Sequence, residues 1–409
     1  MIINLVLLVR DKCIRSYDFM KFRLLILALA IVLCLSSCKS NDKTNNNPSS
    51  VDSTPETVFT DLGIASVNNK DLSANARNPW DMVVIENNLY VATGDYASDS
   101  GTTSIWKYDN NAFKWVNSGD IEQEAIIRFL NLNGKNIAIG ADPIGRPTHA
   151  ENYILNGDKW ETFSKIEGAL HTFDAEYYDN AFYFGVGYEN NEYPIVKFVP
   201  ETNQYINIPL YKMGNDVIAL LQGSNAEYKR VYDLFNVNGK LYCAFSVAYT
   251  GGKTTIEFFE LKDDRFEFCQ AFKASGMQID KVVKNQSLFN SDVVLGDSCY
   301  LSLGNLYKTT DFINFSKISV PNDACVTDLL IDKSGDDETP YILTTVQNDD
   351  QFTNVIYRLD GENLIEIYAF NHNCSALSFA KTGNVFYVGI GGDGAISTDI
   401  GKVYKIDIG

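Results

Sequence analysis

Histidine is almost missing from this chain of 409 residues. The three that occur, His149, His171 and His372, show no HxxxH or similar spacing, so the sequence offers no zinc site. Cysteine is scarce too: beyond Cys38 only Cys243, Cys269, Cys299, Cys325 and Cys374 follow, odd in number and without CxxC or Cys/His spacing. They read as buried free thiols inside strands, with one disulfide left open if the compartment is oxidising. No glycine-rich loop follows a strand and opens a helix, which removes the warrant for nucleotide binding. Amphipathic helical periodicity is absent, and that excludes the α/β folds. Basic residues are outnumbered, 34 Lys and Arg against 52 Asp and Glu. Such a balance repels nucleic acid and anionic headgroups, and it keeps a protein soluble without saying anything about its fold.

What is present begins with an apolar run of twelve residues, Leu24 to Leu35. It is too short for the about 20 helical residues that span a bilayer. Lys21 and Arg23 precede it and Ser36 and Ser37 follow, the charged, apolar and small-residue order of a secretory signal. Translation is expected to start at Met20, which makes residues 1–19 an extension that the signal does not need. Leu35-Ser36-Ser37-Cys38 resembles the lipobox of bacterial lipoproteins. The resemblance implies cleavage before Cys38, a diacylglyceryl group on its sulfur and anchoring on the extracytoplasmic side of a membrane. Two or more acyl chains hold stably where one does not, at about 0.8 kcal/mol per buried CH₂. Lys39 resembles outer-membrane sorting in a cell with two membranes. Loss of residues 1–37 leaves 29 basic against 50 acidic residues, a formal charge of −21.

Residues 38–57 are the acylated cysteine and an Asn, Ser, Thr, Asp, Lys and Pro segment that has too little apolar surface to fold. It reads as a tether reaching roughly 25 Å as a coil. From residue 58 to 409 one signal repeats. Leu89-Tyr90-Val91, Ile137-Ala138-Ile139, Phe182-Tyr183-Phe184, Leu241-Tyr242-Cys243, Cys299-Tyr300-Leu301, Pro340-Tyr341-Ile342 and Phe386-Tyr387-Val388 each follow a turn-like stretch. Their centres lie 48, 45, 59, 58, 41 and 46 residues apart, the period of a four-stranded propeller blade. The last repeat stops after its third strand, near Ile406, while Thr57–Leu62 is an extra strand before the first blade. The expectation is an all-β, seven-bladed β-propeller whose last blade is closed by the N-terminal strand, because an open edge invites aggregation.

Tyr108 and Trp115 have six residues between them, as do Tyr153 and Trp160, with Phe198/Tyr205 and Leu261/Phe268 as weaker copies. This resembles the spacing of kelch repeats, the blades of kelch proteins and galactose oxidase, although their double glycine occurs only as Gly391-Gly392. The resemblance implies the architecture and carries over no partner or activity. Ser397-Thr398-Asp399 and Thr309-Thr310-Asp311 resemble the Asp box of sialidases, the first in the wrong turn and the second without its glycine and tryptophan.

Counting back from the tyrosines aligns carboxylates. Asp81, Asp174 and Asp233 lie nine residues before them, Asp292 eight and Asp328 thirteen. At the entrance of inner strands they would face the channel mouth, either as turn caps or as a ligand or ion face, and hard oxygen ligands of that kind suit Ca²⁺. Arg77, Arg128 and Arg230 fall just upstream of inner strands one, two and four, where they would grip an anion or neutralise the aspartates. Long loops between second and third strands, Gly94 to Thr103, Ala141 to Glu151, Val186 to Pro194, Ser246 to Thr254, Val346 to Asn354 and Gly389 to Gly401, emerge from one end. Function is expected on that end, as a binding module for a glycan or protein partner. The alternative is a carbohydrate-active hydrolase or lyase using the channel carboxylates.

Overall fold

The computed structural model describes residues 57–66, 75–95, 101–144, 148–188, 194–211, 226–249, 254–272, 292–303, 305–333, 338–348, 351–392 and 398–409. All belong to one compact unit, Pro55–Gly409. The leader, Cys38 and the tether up to residue 56 lie outside the described residues, as do parts of the six long loops and Ser397. Among the described residues no helix is long and apolar enough to cross a membrane.

The chain forms seven four-stranded antiparallel blades. Their inner strands are Asp81–Ile85, Gln123–Leu132, Ala169–Tyr178, Ala226–Val237, Asp292–Leu295, Cys325–Asp332 and Ser375–Thr382. Each inner strand touches those of both neighbouring blades, the seventh and the first included, so the ring is closed. Blade four gains a short fifth strand, Leu210–Tyr211, parallel to its outer strand Arg265–Phe272. A single pairing of His171 with Ala141 joins blades two and three into one sheet.

Closure follows the sequence expectation. Val58–Ile64 pairs antiparallel with Lys402–Asp407, from Val58 opposite Asp407 to Asp61 opposite Tyr404, and completes blade seven. Trp115 of blade one donates its Nε1–H to the Leu62 carbonyl at 2.9 Å, which ties that strand to its other neighbour.

The core is divided as a propeller requires, into seven apolar clusters that each lie chiefly between two adjacent blades. The paired aromatics serve these interfaces. Tyr108 and Trp115 meet edge to face at 5.0 Å, while Trp160 of blade two packs on Tyr90 of blade one at 5.9 Å and on Phe129 at 5.2 Å. Gly94, after the second strand of blade one, allows the closest backbone approach between blades among the described residues, since a Cβ there would lie 2.2 Å from the Glu124 carbonyl oxygen of blade two. The five cysteines beyond Cys38 are free thiols, and burial pushes those of Cys243 and Cys299 upward, away from thiolate chemistry.

Candidate functional site

Cross-strand register identifies one equivalent position in six inner strands, four residues before the pair that flanks the short turn, while Asp292 of blade five stands three residues before that pair and joins the others through Arg128. Asp81 pairs with Ala92, Arg128 with Ile139, Asp174 with Gly185, Asp233 with Ala244, Asp292 with Leu301, Asp328 with Leu343 and Ser378 with Gly389. In blades two, three, four, six and seven a β-bulge immediately precedes that residue. A bulge inserts one unpaired residue and re-aims the side chain after it. The result is a ring of five aspartates, one arginine and one serine around the axis. Sequence counting found the aspartates but not the membership of Arg128 and Ser378. Ser378 lies nine residues before Tyr387, at the same count as three of the aspartates, but carries a hydroxyl in place of a carboxylate.

The expected location needs correction. Asp174, Asp233 and Asp328 stand inside their strands rather than at strand entrances. All five aspartates are buried, so they do not form an acidic channel mouth. Nor are they turn caps. Asp81 accepts the Phe129 N–H of blade two at 2.6 Å, Asp174 the Leu234 N–H of blade four at 2.7 Å, and Asp328 the Phe379 N–H of blade seven at 2.8 Å. Ser378 donates its hydroxyl to the Pro79 carbonyl ahead of blade one at 2.7 Å. In every case the acceptor or donor reaches the next blade, so the ring bonds blade to blade.

Arg128 supplies the charge that this arrangement needs. Its guanidinium lies 3.1 Å from Asp174, 3.4 Å from Asp233 and 2.7 Å from Asp292. Burial opposes a charged guanidinium there, and those carboxylates more than reverse it, holding the proton well above arginine's ordinary range. Among the described residues no three carboxylate, histidine or cysteine groups are placed to share a metal ion. The cation among the aspartates is the protein's own guanidinium.

Charge compensation is incomplete. Burial pushes Asp81 and Asp174 up to about 7 and raises Asp233 and Asp328 as well. Glu176, two residues beyond Asp174, is pushed up to about 8 by burial and by the nearby Asp174. It lines a cavity of about 350 Å³ that has the ring as its floor and Leu130, Val294 and Leu330 along its sides. Those residues follow the ring along the inner strands, so this cavity lies on the side of the short turns between first and second strands. The folded state keeps the Glu176 proton through a pH range in which the unfolded chain has released it. Stability from this group is therefore present below the ordinary glutamate range and is lost as pH rises through about 8. The melting temperature of wild type should fall between pH 6 and pH 9, and Glu176→Gln should narrow that fall. An unchanged fall would remove Glu176 from the buried acids.

The three arginines take separate places. Arg128 belongs to the ring, Arg77 ends a short 3-10 helix before blade one, and Arg230 lies in the inner strand of blade four. Arg230 places Nη2 3.3 Å from His171 Nε2, and its guanidinium lies over the Phe173 ring at 5.2 Å. Arginine only donates, so His171 Nε2 accepts and the ring proton sits on Nδ1, 3.2 Å from Asp142 Oδ1. Burial and the Arg230 charge push His171 down to about 3, which keeps it neutral. This Asp142, His171 and Arg230 chain sits at the long-loop end, and sequence reading singled out only its arginine. The motif at Thr309 folds as a self-contained turn. Asp311 accepts the N–H groups of Ile313 and Asn314, and Thr309 accepts that of Phe312, which is a structural task.

The sequence matches no family model and no curated protein. Among solved structures the chain is similar to a protein from Lactobacillus plantarum, at 10% identity over 74% of this chain and 88% of that one, with a TM-score of 0.42. It is also similar to the Dos1 propeller, at 9% identity over 79% of this chain and 75% of that one, with a TM-score of 0.42.

Proposed function

We propose that this protein is a lipid-anchored, extracytoplasmic binding module that offers the long-loop end of its propeller to a glycan or protein partner. The observation that carries this reading is the polarity of the closing strand. Val58 pairs with Asp407, which itself pairs with Val385 beside the short turn of blade seven, so the chain enters the propeller at the short-turn end. A chain anchored through Cys38 then points its long loops away from the anchor. At that far end Arg230, fixed by His171 and Phe173, supplies a preoriented cation for a carboxylate or sulfate on the partner.

The hydrolase reading finds less support. Asp81, Asp174 and Asp328 already hold backbone N–H groups, and Asp174, Asp233 and Asp292 surround Arg128, so catalysis on them requires breaking the bonds between blades.

Two measurements test the two halves of the proposal. Labelled palmitate should enter wild type and not Cys38→Ala, and equal labelling would end the lipoprotein reading. On a glycan array the unit Pro55–Gly409 should bind without releasing reducing sugar, with Arg230→Ala weakening an acidic ligand at least tenfold. Sugar release would favour the enzyme.

A further inference from the structure

Six of the eight exposed large apolar side chains among the described residues lie toward the short-turn end, and Ile206 sits at the centre of blade three's outer strand. Phe113, 81% exposed, occupies the turn between the third and outer strands of blade one, and Ile313, 52% exposed, the same turn of blade five. Tyr205 and Ile206 are the second and third residues of blade three's outer strand, Gln204–Ile208. Ile365 is the third residue of Asn363–His372 in blade six. Val58, 53% exposed, and Phe59 open the closing strand of blade seven. Antiparallel outer strands begin at the short-turn end, so these positions other than Ile206 form a rim around five blades. Ile144, at the end of a second strand in blade two, is the exception at the opposite end.

The rim is built rather than incidental. Phe113 holds φ at 50°, a conformation that a bulky side chain adopts only at a cost. Phe59 stacks on Tyr404 at 4.7 Å and tilts against Phe370 of blade six at 5.7 Å, which fixes an aromatic step between two blades. Apolar and aromatic groups spread around one end of a water-soluble scaffold suit a surface that is broad, flat and apolar just below its headgroups.

We infer that this rim rests on the lipid interface, and that the partner is a zwitterionic bilayer surface. The inference rests on the anchored reading above. The length and attachment of the leading chain decide the occupant. Val58 is twenty residues from Cys38 and enters at the rim, so an acylated Cys38 holds that edge of the rim an average of roughly 25 Å from the headgroups and turns this end of the propeller toward them. The formal charge of −21 left after loss of residues 1–37 opposes anionic lipid, which leaves the zwitterionic surface.

The native tryptophans give a quiet background for the test, because Trp80, Trp106, Trp115 and Trp160 are all buried. The full chain, expressed with its leader, is floated with phosphatidylcholine vesicles carrying brominated acyl chains, as Phe113→Trp, Ile313→Trp or Ile144→Trp. The fluorescence added by each of the two rim substitutions should fall at least twofold relative to unbrominated vesicles, and that added by Ile144→Trp should not fall. If the protein floats but all three respond alike, the rim belongs to a protein partner or a second copy and the inference is overturned while the anchor stands. If the protein does not float, the anchored reading fails and this inference with it.

Discussion

Arg128→Met is expected to unfold the protein at pH 8 or to bring it close to unfolding. The guanidinium is the one positive group that contacts Asp174, Asp233 and Asp292 among the described residues, and all four side chains are buried. Breaking a buried ion pair costs about 3–5 kcal/mol because the surviving charge is left without compensation. Here three carboxylates survive, against a total stability that is typically about 5–15 kcal/mol. Acid should rescue the variant. Buried carboxyls whose folded pKa is raised lose stability as pH climbs through that pKa, so protonation at pH 5 removes much of the repulsion. Urea unfolding at both pH values measures this. A variant within about 1 kcal/mol of wild type at pH 8 would show that Arg128 is not the electrostatic hub of the ring.

A chain shortened to begin at Ser66 should lose on the order of 5 kcal/mol relative to one beginning at Pro55. Several losses combine. Lys402–Asp407 becomes an open edge, Trp115 leaves its Nε1–H without the Leu62 carbonyl, and the blade 7–1 cluster loses half-buried Leu62. Phe59 also leaves the Tyr404 ring. The open edge should make the shortened chain self-associate, so its urea midpoint should fall while light scattering rises with concentration. Equal midpoints for the two chains would mean that the strand Val58–Ile64 adds nothing to closure.

The blades were legible because the tyrosine-centred strand repeats at a blade-like interval, and closure was legible because the last repeat lacks a fourth strand. Both signals come from strand patterning, which survives without any alignment. The ring was half legible. Five aspartates aligned by counting, yet Arg128 sits ten residues before Ala138 rather than nine and escaped the count. Its depth was not legible either. The bulges at Ile127, Phe173 and Tyr232 arise where an inner strand curls against its neighbours, and nothing in the local composition announces them. Without them each aspartate reads as a residue at a strand entrance. The Asp142 and His171 pair escaped for a related reason, since their meeting depends on the one bridge between blades two and three.

The antiparallel pairing of Val58–Asp61 with Tyr404–Asp407 also determines how the protein responds to mechanical load. Under the proposed function, a partner held at the long-loop end and an anchor pulling on residue 58 from the short-turn end would draw the closing strand along its own axis. In that direction its ladder bonds share the force and must rupture together, as in a sheared lap joint. A pull from the side would instead open them one after another like a zipper. Forced unfolding is governed by the height of the rupture barrier rather than by equilibrium stability. The same strand that closes the ring is therefore oriented to act as a strain-bearing strap, and a pull along this axis should require a larger force than a sideways pull on the same residue.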